Sequence, residues 1–268
     1  MHHKQLLNGL VGATALLLAG AHVVPGSDAS ARLIAAAPVV VEPSLLSPAG
    51  YEIAENGIAA KTNAALRTLG SSVQSLSHPD ALETAFSSYF AFLSKHPSRV
   101  RKPYLYFVDY GLPSTQPRGW VFDMQTLEVV DGPFAVAHGR GSTNAQYGVP
   151  TQFSNKPGSN ATSLGLYLAQ ETYGFRGNAG GRKYTSIGLR LEGLSGRYNS
   201  NARRRGVVAH GAPYVSATTA GRSEGCPAME QSRAQRLLPK LSRGGMVFLF
   251  APNEDWLSDD PWIVAAIE

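Results

Sequence analysis

Between Asp80 and Leu93 the apolar residues Leu82, Phe86, Phe90 and Leu93 recur at i, i+4, i+8 and i+11, which predicts a helix packed along one stripe. Pro79 and Asp80 suit its first turn and Pro97 closes it. A second helical composition runs from Ile53 to Leu69. Past Pro103 the texture changes to short apolar runs rich in aromatic and β-branched residues. Tyr104–Val108 and Gly119–Met124 read as strands, as does Glu128–Val130 with Phe134–Ala137, which leads to His138. Leu164–Leu168, Ile187–Leu191, Gly206–His210 and Met246–Phe250 follow, separated by Gly, Pro, Asn and Ser clusters. Many short strands with one later helix predict a mainly β sandwich or barrel-like domain carrying a short α-helical N-terminal region. Residues 101–268 form that domain in this reading, and 32–100 an extended leader and helical region. The helical region either packs against the domain or guides substrate.

The first 21 residues differ from the rest. A basic start, an apolar run broken by Asn8 and glycines, and Ala19-Gly20-Ala21 read as a secretory signal peptide. Ala29-Ser30-Ala31 offers a later cut near 31, and an uncleaved N-terminal helix is the alternative. No cysteine follows the apolar run, which argues against a lipid anchor, and no later stretch is long and apolar enough to span a bilayer.

At 268 residues, 43% hydrophobic and 16% charged, the chain can bury a sizeable core. Its net charge of +5 suits anionic surroundings, but the basic residues are scattered except at Arg203-Arg204-Arg205, and no nucleic-acid module is visible. One cysteine and seven histidines show no zinc spacing, so no metal is expected. No dinucleotide or phosphate-loop fingerprint occurs, so no cofactor is expected.

An exported protein with a single cysteine has no internal disulfide, which directs attention to Cys226. It stands in Gly221-Arg222-Ser223-Glu224-Gly225-Cys226-Pro227, downstream of a valine-rich strand that ends in His210. Pro227 suits the first position of a helix, which predicts Cys226 at the helix N-cap, where the dipole lowers a thiol pKa. His210 would then act as base and later as acid. Gly225 leaves room for a substrate carbonyl, and the Gly225 and Cys226 N–H groups are candidate oxyanion donors. A small buried thiol and a hydrogen-bonded core histidine are the plainer reading of the same residues.

The pattern His210-Gly211 followed by Ser223-Glu224-Gly225-Cys226 resembles the signature of bacterial L,D-transpeptidases, and the longer text is similar to the murein L,D-transpeptidase catalytic-domain family. Val136-Ala137-His138-Gly139-Arg140-Gly141-Ser142, Phe153-Ser154-Asn155-Lys156-Pro157-Gly158-Ser159, Ser163-Leu164-Gly165 and Asn201-Ala202-Arg203 carry the resemblance, which extends from about Tyr104 to about Phe250. The chain departs from many members at Glu224, where they carry histidine, and at Pro227-Ala228-Met229. The nucleophile and base carry over; substrate contacts at the departing positions do not.

The resemblance implies a β-rich catalytic domain and a Cys226 thioester that releases D-alanine and then transfers to an amine. It implies orientation of His210 by a backbone carbonyl, for which Gly211 is the candidate. Arg222 is a candidate to bind a substrate carboxylate, or else a solvated loop residue. Ser223 either contacts substrate or holds the loop. His138 either lines the same cleft or caps a loop. The implied partners are peptidoglycan stem peptides, with no nucleic acid, no membrane span after processing and a monomeric state; the implied location is the periplasm or cell envelope. Two other readings share the residues: an L,D-carboxypeptidase or other Cys/His wall peptidase, and a non-catalytic wall-binding protein.

Overall fold

The computed structural model describes residues 57–73, 75–145 and 147–266. The expected signal peptide, its cut near 31, the leader and the start of the first helix lie outside them. The described chain is mainly β with a short α-helical N-terminal region, as the pattern predicts.

Helix α1 (Ile58–Leu69) and helix α2 (Ala81–Lys95) pack on each other and on the sheet. The α2 stripe is buried at Leu82, Phe86 and Phe90, and Phe86 meets Phe122 edge-on at 5.4 Å. The main hydrophobic core therefore runs from Ala65 and Leu69 through the sheet to Trp256, beside a smaller cluster around Ala137, Ala212 and Ala228.

The sheet is built from β1 (Tyr104–Asp109), β2 (Gly119–Asp123), β3 (Glu128–Phe134), β5 (Gly165–Ala179), β6 (Arg182–Gly193), β7 (Val208–Gly211), β9 (Ala228–Met229) and β10 (Met246–Phe250), in the order β3-β2-β1-β10-β5-β6-β7-β9. At its centre β1 runs parallel to β10, with Leu105 opposite Met246 and Asp109 opposite Phe250. Every residue of β10 is buried, as expected for a strand covered on both faces. A separate parallel ribbon pairs β4 (His138–Gly139) with β8 (Arg222–Ser223).

Two features differ from the sequence pattern. The segments 164–168 and 187–191 are parts of a much longer hairpin, β5–β6, closed by Gly180-Gly181, whose φ values of 57° and 81° suit a two-residue turn. Its outer register is braced by aromatic rings lying over glycines. A Cβ on Gly177 would stand 2.4 Å from the Tyr184 ring, and one on Gly188 would stand 2.8 Å from Tyr173. The second difference is after Cys226, where strand β9 precedes helix α4 (Gln231–Leu241). Cys226 is therefore not a helix N-cap. Ala228 and Met229 instead pair with His210 and Gly211, a long-range ladder that overrides the local preference of Pro227.

The short helix α3 (Ala202–Arg205) ends at Gly206, whose φ of 70° turns the chain into β7. Helices α5 (Glu254–Leu257) and α6 (Pro261–Val264) close the chain, each with an acidic or amide side chain at its N-cap. Among the described residues no helix is long and apolar enough to cross a membrane.

Candidate active site

The last strand pair of the sheet brings the two signature motifs together. In the parallel β7–β9 ladder His210 is level with Ala228, and the His210 N–H reaches Pro227 O at 3.4 Å. Side chains level with each other share a face, and so do residues two apart. Cys226 lies two residues before Ala228, just ahead of the strand that carries this ladder. The thiol also lies against the strand's start: it makes a weak 3.8 Å contact to Gly206 O and accepts from the Val208 N–H.

His210 is buried, and its Nδ1 lies 3.0 Å from Gly211 O. A carbonyl only accepts, so Nδ1 carries the proton and Nε2 keeps its lone pair. The ring lies nearly flat on Phe175, with centroids 4.2 Å apart and planes at 19°. Burial under this cover pushes the imidazole down to about 4, against the opposing pull of the Gly211 carbonyl.

Cys226 keeps some exposed surface, but its sulfur is crowded closely enough that burial is the largest influence on it and pushes the thiol up. The Val208 N–H and the Arg205 guanidinium act in the opposite direction, and Glu224 adds to the rise. This corrects the N-cap expectation of a lowered thiol, because the helix dipole that it relied on begins at Gln231 and not at Cys226. At neutral pH the resting pair is thus a neutral thiol and a neutral imidazole.

The loop before Cys226 is tightly tied. Ser223 Oγ donates to Cys226 O at 2.7 Å and accepts from the Gly225 N–H at 3.2 Å. Ser223 therefore holds the loop, and the Gly225 amide proposed as an oxyanion donor is engaged by it. What Gly225 supplies is shape: its φ is +117°, and a Cβ there would stand 2.9 Å from Ala161 O. Gly139 makes the matching approach, with a Cβ position 2.8 Å from Gly225 Cα. Arg222 is exposed beside this loop, with one Nη donating to Thr143 O at 3.3 Å.

His138 lies level with Arg222 in the β4–β8 ribbon, but its ring is fully buried and presents no surface to a ligand. Its Nδ1 is 2.8 Å from Arg118 Nη2, a donor, so the proton is on Nε2. Burial and the Arg118 charge push His138 down to about 3. Arg118 is itself fully buried, donates twice to Val136 O and sits 4.9 Å over the Tyr110 ring. These contacts fix β4, which pairs with the Arg222–Ser223 strand ahead of Cys226. Sequence reasoning missed Arg118, since nothing local marks a buried arginine.

The outer β5–β6 hairpin supplies an aromatic wall. Tyr173 meets Phe175 at 6.3 Å, and Tyr184 meets Tyr214 edge-on at 6.5 Å. Beside Tyr184, a cavity of about 720 Å³ opens among Arg176, Asn178 and Lys183. A more apolar cavity of about 470 Å³, lined by Tyr89, Phe90 and Leu93 of α2, lies away from the cysteine. Among the described residues no three His, Cys, Asp or Glu side chains gather as a metal-ligand set.

Among solved structures, the L,D-transpeptidase from Mycobacterium smegmatis is 17% identical, over 56% of this chain and 59% of its own length, with a TM-score of 0.35. The L,D-transpeptidase (Yku) from Stackebrandtia nassauensis is 15% identical, over 72% of this chain and 77% of its own, with a TM-score of 0.34. A comparison with the curated proteins finds no match. The model of the L,D-transpeptidase catalytic domain matches residues 74–250, a span that includes both His210 and Cys226, and the chain belongs to that family.

Proposed function

We propose that this protein is a peptidoglycan L,D-transpeptidase that works through a Cys226 thioester in the cell envelope. The observation that supports the reading is the β7–β9 ladder, which pairs His210 with Ala228, two residues after Cys226, with the His210 Nδ1 tied to Gly211 O. That tie leaves Nε2 as the basic nitrogen, and its low pKa keeps it unprotonated at neutral pH.

The steps follow from the neutral pair. On substrate binding, the Cys226 proton passes to His210 Nε2 as sulfur attacks the carbonyl of the bond between an L-centre and a D-centre in a stem peptide. The tetrahedral intermediate collapses, the C–N bond breaks, and the imidazolium returns its proton to the departing amine of D-alanine. An acceptor amine then gives a proton to Nε2 and attacks the thioester. The new peptide bond forms and the Cys226 thiol is restored, protonated through His210. Because both resting groups are neutral, proton transfer is coupled to attack rather than completed beforehand. Arg222, exposed beside the loop, is the proposed partner of a stem carboxylate.

The test is the intact mass of the protein after brief exposure to a tetrapeptide-stem muropeptide without acceptor. The reading expects a mass gain equal to the donor less D-alanine, mapped to Cys226 and removed by an added amine. Release of D-alanine by Cys226→Ser at the wild-type rate would contradict it.

A further inference from the structure

The run Arg203-Arg204-Arg205 reads in the sequence as a basic patch, but the three side chains diverge. Arg203 and Arg204 are exposed, and Arg203 reaches Glu171 at 3.6 Å. Arg205 turns inward. Its Nη1 donates to Ser154 O at 2.7 Å and Ser163 Oγ at 3.2 Å, and its Nη2 donates to Ala161 O at 2.6 Å and Ser159 Oγ at 3.3 Å. One guanidinium thus clamps both ends of the 154–163 loop. It also lies beside Gly225, where an added Cβ would stand 3.4 Å from Arg205 Nη2.

All four acceptors are neutral oxygens, and among the described residues no carboxylate lies within ion-pairing distance of this arginine. A half-buried cation without a counter-charge is costly unless a negative group forms beside it. The group that becomes negative here is the Cys226 sulfur.

We propose that Arg205 is a positioning residue for Cys226: it locks the 154–163 loop against Gly225 and supplies the counter-charge that appears when the sulfur gives up its proton. This rests on the reading of Cys226 as the nucleophile. The other charged or ionisable groups coupled to the thiol are Glu224 and the tyrosines Tyr110, Tyr167, Tyr173, Tyr184 and Tyr214. Burial holds all five phenols above their ordinary value, so they stay neutral through the relevant range. Arg205 is thus the fixed positive charge acting on the sulfur.

The test is the pH dependence of Cys226 alkylation by iodoacetamide, which needs no transpeptidase activity and so separates failure of this proposal from failure of the functional reading. Arg205→Met is expected to move the alkylation midpoint upward by about one pH unit, roughly a tenfold loss of thiolate at a fixed pH below it. Arg205→Lys, which keeps the charge and loses the fork, should recover at least about half of that shift. Where the methionine variant does not fold, the same midpoint is read on Arg205→Gln, which is neutral and keeps a polar amide. A folded neutral variant with the wild-type midpoint overturns the proposal and leaves Arg205 as a loop clamp alone.

Discussion

The imidazole of His210 lies against the ring of Phe175 at 4.2 Å, so that a residue of the β5–β6 hairpin covers the base on which the proposed chemistry depends. Phe175 is part of the burial that is the largest cause of the low His210 pKa. Phe175→Ala opens the ring to water and should raise the imidazole from about 4 toward its ordinary 6.5. Thioester formation needs the neutral base, so its acid limb is expected to move to higher pH in the variant. Rates of D-alanine release between pH 4 and pH 8 check this, and an unmoved limb would mean that other groups shield the ring.

The same burial makes stability depend on pH. Unfolded, His210 takes a proton near 6.5; folded, it does so at about 4. The unfolded state therefore binds more protons below 6.5, and the contribution, complete above that value, is lost as pH falls toward 4. For a side chain this buried the loss from pH 7 to pH 5 is about 2 kcal/mol. His138 acts in the same direction, with a folded value of about 3. Asp109 and Asp260, raised by burial, act in the opposite sense and gain stability as pH falls through their raised values. The expected outcome is that His210→Asn loses less Tm between pH 7 and pH 5 than the wild type, measured by thermal unfolding at matched ionic strength.

Gly225 tests the shape of the nucleophile loop. Its φ of +117° is strained for any L side chain, and a Cβ would press on Ala161 O at 2.9 Å. Gly225→Ala should cost about 1–3 kcal/mol of stability. By displacing Cys226 it should also slow thioester formation by roughly tenfold or more. Thermal unfolding and D-alanine release together check both, and unchanged activity would show that the sulfur's position does not depend on this backbone.

Much of the strand pattern was legible because it is local: Tyr104–Val108 and Met246–Phe250 are short apolar runs, and they form the buried centre of the sheet. The stripe of Leu82, Phe86 and Phe90 marked α2 for the same reason. The outer hairpin was read too short because polar residues alternate along it, although Gly180-Gly181 was its visible turn. The supposed helix at Pro227 failed because pairing of Ala228 with His210 is a contact between distant segments that no local preference reveals. His210, Gly211 and Cys226 were named from their motif. Arg118 and Arg205 were not, because an arginine's burial among carbonyl oxygens depends wholly on which loops surround it.

The most direct test of the central claim is product analysis by mass spectrometry of the purified protein incubated with tetrapeptide-stem muropeptides, beside Cys226→Ser. The account predicts cross-linked dimers and free D-alanine with the wild type, and neither with the variant. Trimmed tripeptide stems without dimers would assign the thioester to water and contradict transpeptidation. Dimers formed equally by Cys226→Ser would contradict Cys226 as the nucleophile.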